Sequence, residues 1–335
     1  MRSLVPSQMK LFNLPSPLLQ SLGVLILLLS SARGDEGVAV PSSPNELGRV
    51  IILEYHLIEA EESRWGRSVE NFKKDLDQLY QKGYRTISLG DYIDGRITIP
   101  AGTRPVILTF DDSSPGQFRY RLRDGRKETD PNCAVGILLE FGNRHQDFGH
   151  KATFFVLPEA KQPHKLFGQP EFESEKLREL VKLGFEIGNH TLWHANLGKY
   201  DAATVQKQLA KSVEAIQKRV PGYVVRSLAL PFGVYPKDLS LAIAGLSGGI
   251  SYRHEAILKV AGGAAPSPFS TSRDLLHLPR IQVPSSDLQY WLHYFEKHPE
   301  EVFVSDGQPG IVSFPKALKS KFDLARFKSL TADSY

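Results

Sequence analysis

Two adjacent carboxylates, Asp111 and Asp112, follow a run of apolar residues at positions 107–110 that is typical of a buried β-strand. Like charges this close repel each other, and burying even one carboxylate is costly. Such a pair is tolerated on a solvated turn, or it is kept beside a bound cation. Other residues along the chain must decide between these two interpretations.

Two histidines, His190 and His194, are separated by four positions in the segment His-Thr-Leu-Trp-His. On a helical turn both imidazoles face the same way and can reach one divalent ion. The spacing alone is a weak signal, because His145 and His150 form a similar pair in a polar segment where solvated histidines are expected. His190 instead follows an apolar stretch, which favours a metal site at His190 and His194.

One carboxylate and two imidazoles form a set of metal ligands that leaves positions open for water and substrate. A second carboxylate beside the cation stays ionised and can accept a proton from metal-activated water. One of the two adjacent aspartates would then bind the metal, and its neighbour would be the base. Zinc is the expected ion for nitrogen and oxygen ligands, and cobalt, nickel or manganese also fit.

Predicted strands and helices alternate along most of the chain. Strands are predicted at 49–55, 84–88, 105–110, 152–157, 185–188, 224–230 and 249–252, and helices at 68–83, 174–183, 201–219 and 237–246. The alternation predicts an α/β fold with parallel strands and helices outside. In such folds functional residues gather at the carboxyl ends of the strands. Asp111, Asp112, His190 and Phe232 each come just after a predicted strand.

Three segments in this order, TFDD at 109–112, HTLWH at 190–194 and LALPFG at 228–233, resemble the motifs of the polysaccharide deacetylase (NodB-homology) family of carbohydrate esterases. The resemblance covers residues 49–284. The earlier segments LEYH at 53–56 and GYRTISLGDYI at 83–93 look like the branch that deacetylates poly-N-acetylglucosamine. The resemblance implies an incomplete or distorted (β/α) barrel.

The resemblance also implies a role for each motif residue. Asp111 matches the family's base, and Asp112, His190 and His194 match its metal ligands. The backbone N–H of Phe232 matches the group that helps to hold the oxyanion. The implied reaction is hydrolysis of an acetamide on a sugar ring of an acetylated amino-sugar polysaccharide, by metal-activated water.

The sequence departs from the family's pattern at two places. Ala229 stands where many members have an arginine that pairs with the base, and Arg280 and Arg226 are the candidates to replace it. His277 is out of register with the late histidine that supplies the general acid in many members. By resemblance to the branch with an early Tyr-His, His56 is the candidate acid. The alternative is a core histidine at a strand end.

Three functions are consistent with these residues. The first is an N-deacetylase of an amino-sugar polysaccharide. The second is an O-acetyl esterase acting on a glycan such as xylan, which uses the same chemistry. The third is a catalytically inactive glycan-binding domain. In any of them Trp193, between the two histidines, either stacks on a sugar ring or forms a wall of the site.

Composition limits the remaining possibilities. The 335 residues carry a net charge of +4, which gives no support to nucleic-acid binding. The single cysteine, Cys133, excludes an internal disulfide and lacks a nearby histidine that would favour a nucleophile. The chain is long enough for one large α/β domain or two small ones.

The first residues resemble a signal for export. An uncharged apolar run at 18–30 and small residues up to Ala32 predict a signal peptide at 1–32, with an uncleaved anchor as the alternative. A start at Met9 gives a more compact signal. The protein is therefore expected to be secreted or periplasmic, without a stable membrane span after cleavage. A linker is predicted at 33–48, a catalytic domain at 49–304 with an insertion at 113–149, and a polar tail at 305–335.

Overall fold

Eight strands form one parallel sheet in a computed structural model that describes residues 43–283 and 285–335. They are β1 (Ile51–Tyr55), β2 (Tyr84–Thr86), β3 (Arg104–Phe110), β4 (Thr153–Val156), β5 (Glu186–Asn189), β6 (Ser227–Ala229), β7 (Ala256–Leu258) and β8 (Ile281–Gln282). The order across the sheet is β7-β6-β5-β4-β3-β1-β8, and β2 pairs with the beginning of β3. Neighbouring strands therefore end at a common edge.

Helices connect most of the successive strands. They are α1 (Val69–Gln81), α2 (Leu89–Asp94), α3 (Ala134–Arg144), α4 (Glu173–Lys182), α5 (Ala202–Arg219), α6 (Ser240–Ile243) and α7 (Asp287–Lys297). Side chains fix where the helices begin: the Ser68 hydroxyl accepts from the Asn71 N–H, and the Asp201 carboxylate accepts from the Thr204 N–H. No helix within the described residues is long and apolar enough to cross a membrane.

The barrel is incomplete, as predicted, because β7 and β8 do not form a strand pair with each other in the described residues. One chain segment bridges the gap between them. The Leu278 N–H donates to the Ile257 carbonyl of β7, and three residues later Ile281 pairs with Leu53 of β1. The residues between Leu278 and Ile281 thus lie close to the middle of the barrel, and Arg280 is one of them.

The sheet is covered on both faces, because alternate residues of a strand point to opposite sides. From β1, Leu53 and Tyr55 belong to the cluster that includes Phe72 of α1. Ile52 belongs to a second cluster that includes Phe314. Burying one such large apolar side chain stabilises the fold by about 1.5–3 kcal/mol.

The prediction of a polar, solvated tail at 305–335 is wrong. A strand at Ile311–Phe314 pairs in parallel with one at Thr331–Ser334, and the apolar side chains of the segment contribute to the second cluster. These buried residues are Val312, Phe314, Phe322 and Phe327. Their spacing matches neither a helical nor a strand period, so the sequence did not indicate that they are buried. The lysines between them remain on the surface.

Two other predicted boundaries change. Within the predicted linker, Asn45 pairs with Val304 and Glu46 is buried, so residues 45–48 are part of the domain. Residues 33–42 and the predicted signal peptide at 1–32 lie outside the described residues. The predicted insertion at 113–149 contains a hairpin, Tyr120–Arg123 with Arg126–Thr129, and then α3. Helix α3 connects β3 to β4, so it is part of the barrel.

The predicted helix at 237–246 and strand at 249–252 are also corrected. Helix α6 ends at Ile243, and an antiparallel hairpin follows, formed by Ala244–Ser247 and Ile250–Arg253. Its turn contains Gly248 and Gly249 with φ of 58° and 78°, a conformation that glycine adopts without strain. The barrel strand is the short β7, which follows the hairpin.

Candidate active site

The carboxyl edge of the sheet carries the predicted site residues. His56 follows β1, Asp111 and Asp112 follow β3, His190 follows β5, and Phe232 lies in the turn after β6. These four strands lie within the same run of the sheet, so the residues after them share one rim. The structure therefore brings together the residues that sequence reasoning placed after strands.

The two aspartates point to different partners because the backbone turns sharply between them. The Asp111 N–H still bonds to the Tyr55 carbonyl, at 2.9 Å, and continues the strand pairing. Asp112 and Ser113 then take φ of 74° and 42° in the left-handed region. The buried amide of Gln117 donates to the backbone carbonyls of His56 and Asp111, which ties the two strand ends together.

The two histidines lie on a turn, so the predicted helical geometry of this segment is wrong. Thr191 and His194 have φ of 68° and 69°. The Asn189 side chain accepts from the Thr191 N–H at 2.8 Å, and the Thr191 hydroxyl accepts from the Ala195 N–H at 2.9 Å. This turn still places the two imidazole centroids 5.1 Å apart.

Asp112, His190 and His194 form one candidate metal-binding group. One ligand atom from each residue lies within 4.8 Å of the others. The Nε2 atoms of His190 and His194 are 3.3 Å and 3.4 Å from the Asp112 Oδ1 atom. His190 Nδ1 lies 2.9 Å from the Ala229 carbonyl, to which it donates. In the neutral ring that bond leaves the Nε2 lone pair directed at Asp112.

These three residues fit a divalent cation. The Asp112 Oδ1 atom is buried and has no hydrogen-bond partner among the described residues. Burial, reinforced by the neighbouring His190, lowers the pKa of His194 to about 4, so its imidazole is neutral at pH 7, as a ligand must be. Burial opposes protonation of His190, but Asp111 and Asp112 outweigh it and raise its pKa, as expected of a ring that faces two carboxylates. With both rings neutral, the two imidazole lone pairs and the carboxylate oxygen would repel each other unless a cation lay between them.

Arg280 forms a double hydrogen bond with the other aspartate, Asp111. Its Nη1 and Nη2 atoms donate to the two Asp111 oxygens at 2.8 Å and 2.7 Å. The remaining donors reach the Lys259 carbonyl, the Thr109 hydroxyl and the Glu54 carboxylate. Burial alone would raise the pKa of Asp111, but Arg280 outweighs it and holds the pKa well below its usual range. Asp111 is therefore ionised although it is buried.

The sequence left two candidates for the missing arginine, and the structure distinguishes them. Arg226 forms ion pairs with Asp94 and Glu255, so its guanidinium is occupied elsewhere. His277 is likewise occupied outside the centre, where its half-exposed ring bonds to Asp274. Arg280 is thus the arginine that pairs with the predicted base.

His56 lies beside Asp111. One ligand atom each of Glu54, His56 and Asp111 lies within 4.8 Å of the others. Burial outweighs the nearby aspartates and lowers the pKa of His56. Glu54 was missed by sequence reasoning, although an acid inside the apolar strand IILEY was a visible signal. Burial raises the pKa of Glu54 well above its usual value.

Phe232 and Trp193 border the same centre. Phe232 has φ of 60° in the turn Pro231–Gly233, and its exposed ring lies 4.5 Å from the His194 ring. Trp193 lines a cavity of about 630 Å³ together with Asp112 and His194. The predicted oxyanion role of Phe232 and the general-acid role of His56 stay predictions.

The polysaccharide deacetylase family model matches residues 98–247, just under half of the chain. This match confirms the family resemblance that the motifs predicted. Both aspartates, both histidines and Phe232 lie inside the matched residues, whereas His56 and Arg280 lie outside them. His56, which follows β1, and Arg280, which precedes β8, are therefore contributed by parts of the chain beyond the match.

Curated relatives carry names of the same kind. The chitooligosaccharide deacetylase of Bradyrhizobium sp. (strain ANU 289) is 29% identical over 151 residues, which cover 44% of this chain and 55% of that protein. The peptidoglycan-N-acetylglucosamine deacetylase of Bacillus cereus is 29% identical over 138 residues, covering 40% of this chain and 38% of that protein. The match thus spans about half of these relatives' length or less.

Solved structures confirm the fold class. The Streptococcus pyogenes deacetylase PplD in complex with acetate has a TM-score of 0.53 at 20% identity, covering 73% of this chain and 97% of that chain. IcaB from Ammonifex degensii has a TM-score of 0.50 at 18% identity, covering 73% of this chain and 97% of that chain. Both share the incomplete barrel with this protein.

Proposed function

We propose that this protein is a metal-dependent hydrolase that removes N-acetyl groups from an amino-sugar polysaccharide. The observation that carries the proposal is a buried, ionised carboxylate, Asp111, next to the convergent ligand atoms of Asp112, His190 and His194. A structural ion pair would explain Asp111 alone. It would not explain the neighbouring set of three ligands around the buried Asp112 Oδ1 atom, which has no hydrogen-bond partner in the part of the chain that the structure describes.

The ligand set suits a divalent ion, and zinc is the expected one for two imidazoles and a carboxylate. When bound by Asp112, His190 and His194, it would polarise the acetyl carbonyl and lower the pKa of water. The bond from His190 to the Ala229 carbonyl fixes the ring so that Nε2 faces the site. Cobalt, nickel and manganese remain alternatives.

Asp111 is proposed to be the general base. Arg280 keeps it ionised and fixes both carboxylate oxygens, so Asp111 can accept a proton from the attacking water. Because the guanidinium is bonded on every side, the carboxylate does not have to reorganise during the reaction. Asp112, which faces the histidines, is instead proposed to bind the metal.

His56 is proposed to protonate the leaving amine. Its ring lies on the Asp111 side of the centre, and its lowered pKa makes the protonated imidazole a stronger acid. The backbone N–H of Phe232 is proposed to stabilise the oxyanion, since the left-handed turn after Pro231 presents that part of the backbone at the rim. His56 and Phe232 would act on opposite ends of the amide.

The setting of the reaction is also a proposal. We infer from the uncharged run at 18–30 that the protein is exported and acts on polysaccharide outside the cytoplasm. The names of the relatives from Bradyrhizobium and Bacillus cereus support an N-acetylated substrate for this chain as well.

Acetate release tests the function. The protein, loaded with zinc, is incubated with N-acetylglucosamine oligosaccharides and, separately, with O-acetylated xylan. We expect acetate from the amide substrate, none after metal removal by a chelator, and restoration on adding zinc. Acetate from xylan alone would establish the esterase alternative. Binding of the oligosaccharides without any release of acetate would indicate an inactive glycan-binding domain.

A further inference from the structure

A short loop at 60–65 carries Trp65 beside the candidate centre. Two strands flank the loop, Leu57–Glu59 and Gly66–Ser68, and pair in parallel. The Leu57 N–H also bonds to the Trp65 carbonyl at 3.0 Å. The backbone on which Trp65 sits is therefore part of a hydrogen-bonded ladder.

Hydrogen bonds and ion pairs of Glu62 also fix the loop. Glu62 accepts from the Ser68 N–H at 2.9 Å, the Asn71 amide at 2.8 Å and the Arg67 guanidinium at 2.6 Å. Arg67 in turn bonds to the buried carboxylate of Asp75 at 2.8 Å. The loop is thus attached to the beginning of α1, and Trp65 is presented on a rigid support.

The indole of Trp65 is not part of the core. It remains 43% exposed, whereas the aromatic side chains of the core are almost fully buried. Its ring centroid lies 5.1 Å from that of His56, and the Arg64 guanidinium lies 5.2 Å from the ring. A cavity of about 290 Å³ opens here, lined by His56, Trp65 and Gln282 among others. That volume is at the lower end for ligand pockets and suits one ring.

This cavity and the larger one reach the centre from different sides. The first touches His56, which lies in the group with Asp111. The second, of about 630 Å³, touches Asp112 and His194, and it also has a half-exposed tryptophan, Trp193. None of the residues that the structure describes lines both cavities. Each cavity contacts one of the two ligand groups, so a chain of linked rings with one unit at the centre would extend towards both cavities.

We propose that Trp65 is the stacking platform for the sugar ring next to the one that is deacetylated, on the His56 side, so that the substrate is an oligosaccharide of at least two rings. The apolar C–H face of a pyranose matches the face of an indole, which offers a large contact area at low cost in conformational entropy. The polar groups of Gln282 and Arg64 are available to the hydroxyl and acetamide groups at the rim. This inference rests on the proposed deacetylase function.

The test compares substrate length. N-acetylglucosamine and its di- and tetrasaccharides are given to the zinc-loaded protein and to Trp65→Ala, Trp65→Phe and Tyr290→Ala. Tyr290 is an exposed aromatic residue on α7 that lines neither cavity, and its replacement serves as the control. Binding of the tetrasaccharide is measured in parallel by calorimetry, with the Asp111→Asn background to prevent turnover.

We expect Trp65→Ala to lower kcat/KM on the tetrasaccharide by about 10- to 100-fold, mainly through KM, the size typical of an aromatic anchor. The ratio of kcat/KM between tetrasaccharide and monosaccharide should fall with it, and Trp65→Phe should restore much of the ratio. An unchanged ratio, or equal losses on all lengths, overturns the proposal. If wild-type protein releases no acetate, the deacetylase function has failed, and the calorimetric comparison alone decides whether Trp65 binds the sugar.

Discussion

Arg280 donates from both terminal nitrogens to the two oxygens of Asp111, at 2.8 Å and 2.7 Å, across 169 positions of sequence. Both side chains are buried, and Glu54 accepts from the same guanidinium at 3.0 Å. Such a planar pair fixes the orientation of a carboxylate as well as its charge. The geometry of the proposed base therefore depends on a residue that is distant in the sequence.

Replacing Arg280 tests this dependence. Arg280→Ala leaves two buried carboxylates without a cation, so we expect the free energy of unfolding to fall by about 3–5 kcal/mol. Arg280→Lys keeps the charge but cannot form the planar double bond, so we expect a folded protein with kcat lower by about 10²-fold. Urea denaturation and acetate release measure the two effects. Full activity of Arg280→Lys would show that orientation by Arg280 is unimportant.

Asp111→Asn should keep the fold and the metal but lose most turnover. The amide has the size of the carboxylate yet cannot accept the proton, and we expect kcat to fall by about 10²–10⁴-fold. Metal content and the far-ultraviolet circular dichroism spectrum serve as controls. Near-normal acetate release by this variant would assign Asp111 to a structural ion pair only.

The candidate site of Asp112, His190 and His194 predicts how many metal ions the protein binds. After incubation with zinc and dialysis, wild-type protein should contain about one divalent ion per chain, and His190→Ala should lose it because one of three ligands is gone. His277→Ala is the matched control, since that histidine bonds to Asp274 outside the ligand group. Elemental analysis gives the answer, and an absence of metal from wild type would contradict the predicted site.

The proposed role of His56 as general acid can be tested with two substrates that differ in their leaving group. An amine must be protonated as its bond breaks, whereas an activated phenolate departs without help. We expect His56→Ala to slow amide hydrolysis by about 10²–10⁴-fold and to affect hydrolysis of 4-nitrophenyl acetate much less. Equal losses on both substrates would point to damage to the centre. A loss confined to the amide in His277→Ala, with His56→Ala active, would mean that the wrong histidine was chosen.

A buried lysine gives a prediction about pH and stability. Lys176 of α4 is fully buried, and its ammonium donates to the Phe167 carbonyl at 2.9 Å. Burial lowers the pKa of Lys176 from 10.5 to about 7. Between these two values the unfolded chain binds a proton that the folded chain lacks, so the free energy of unfolding rises with pH, by at most about 1.4 kcal/mol per pH unit.

Lys176→Met should remove the increase of the free energy of unfolding with pH. The variant should be stabilised most, relative to wild type, below pH 7. The measurement is urea denaturation of wild type and variant at several pH values between 6 and 10. Lys182→Met, an exposed lysine on the same helix, is the control and should follow wild type. Parallel curves for Lys176→Met and wild type would mean that the buried lysine titrates normally.

The residues of the metal group were predictable because each directly follows a strand or lies within a short motif. Asp112, His190 and His194 need only local sequence to be recognised. The local backbone was not predictable: HTLWH forms a turn with two left-handed residues, and Asn189 and Thr191 stabilise it through side-chain bonds that no spacing rule reveals.

Arg280 was harder to assign, because nothing in its own neighbourhood distinguishes it from Arg226. Its selection depends on the pairing of Leu53 with Ile281, a contact between distant parts of the chain. The packed segment at 305–335 was missed for a related reason. Its phenylalanines face a core cluster contributed by the sheet, and their spacing follows that surface instead of a helical or strand period.

The position of Arg280 in the chain sets an order of events during biosynthesis. When translation has passed residue 194, both aspartates and both histidines have been made, but the partner of Asp111 has not. Until β8 has been added beside β1, the carboxylates of Asp111 and Glu54 lack their shared cation, and burying them is unfavourable. A nascent chain therefore carries its candidate metal ligands before it carries the arginine that fixes its proposed base.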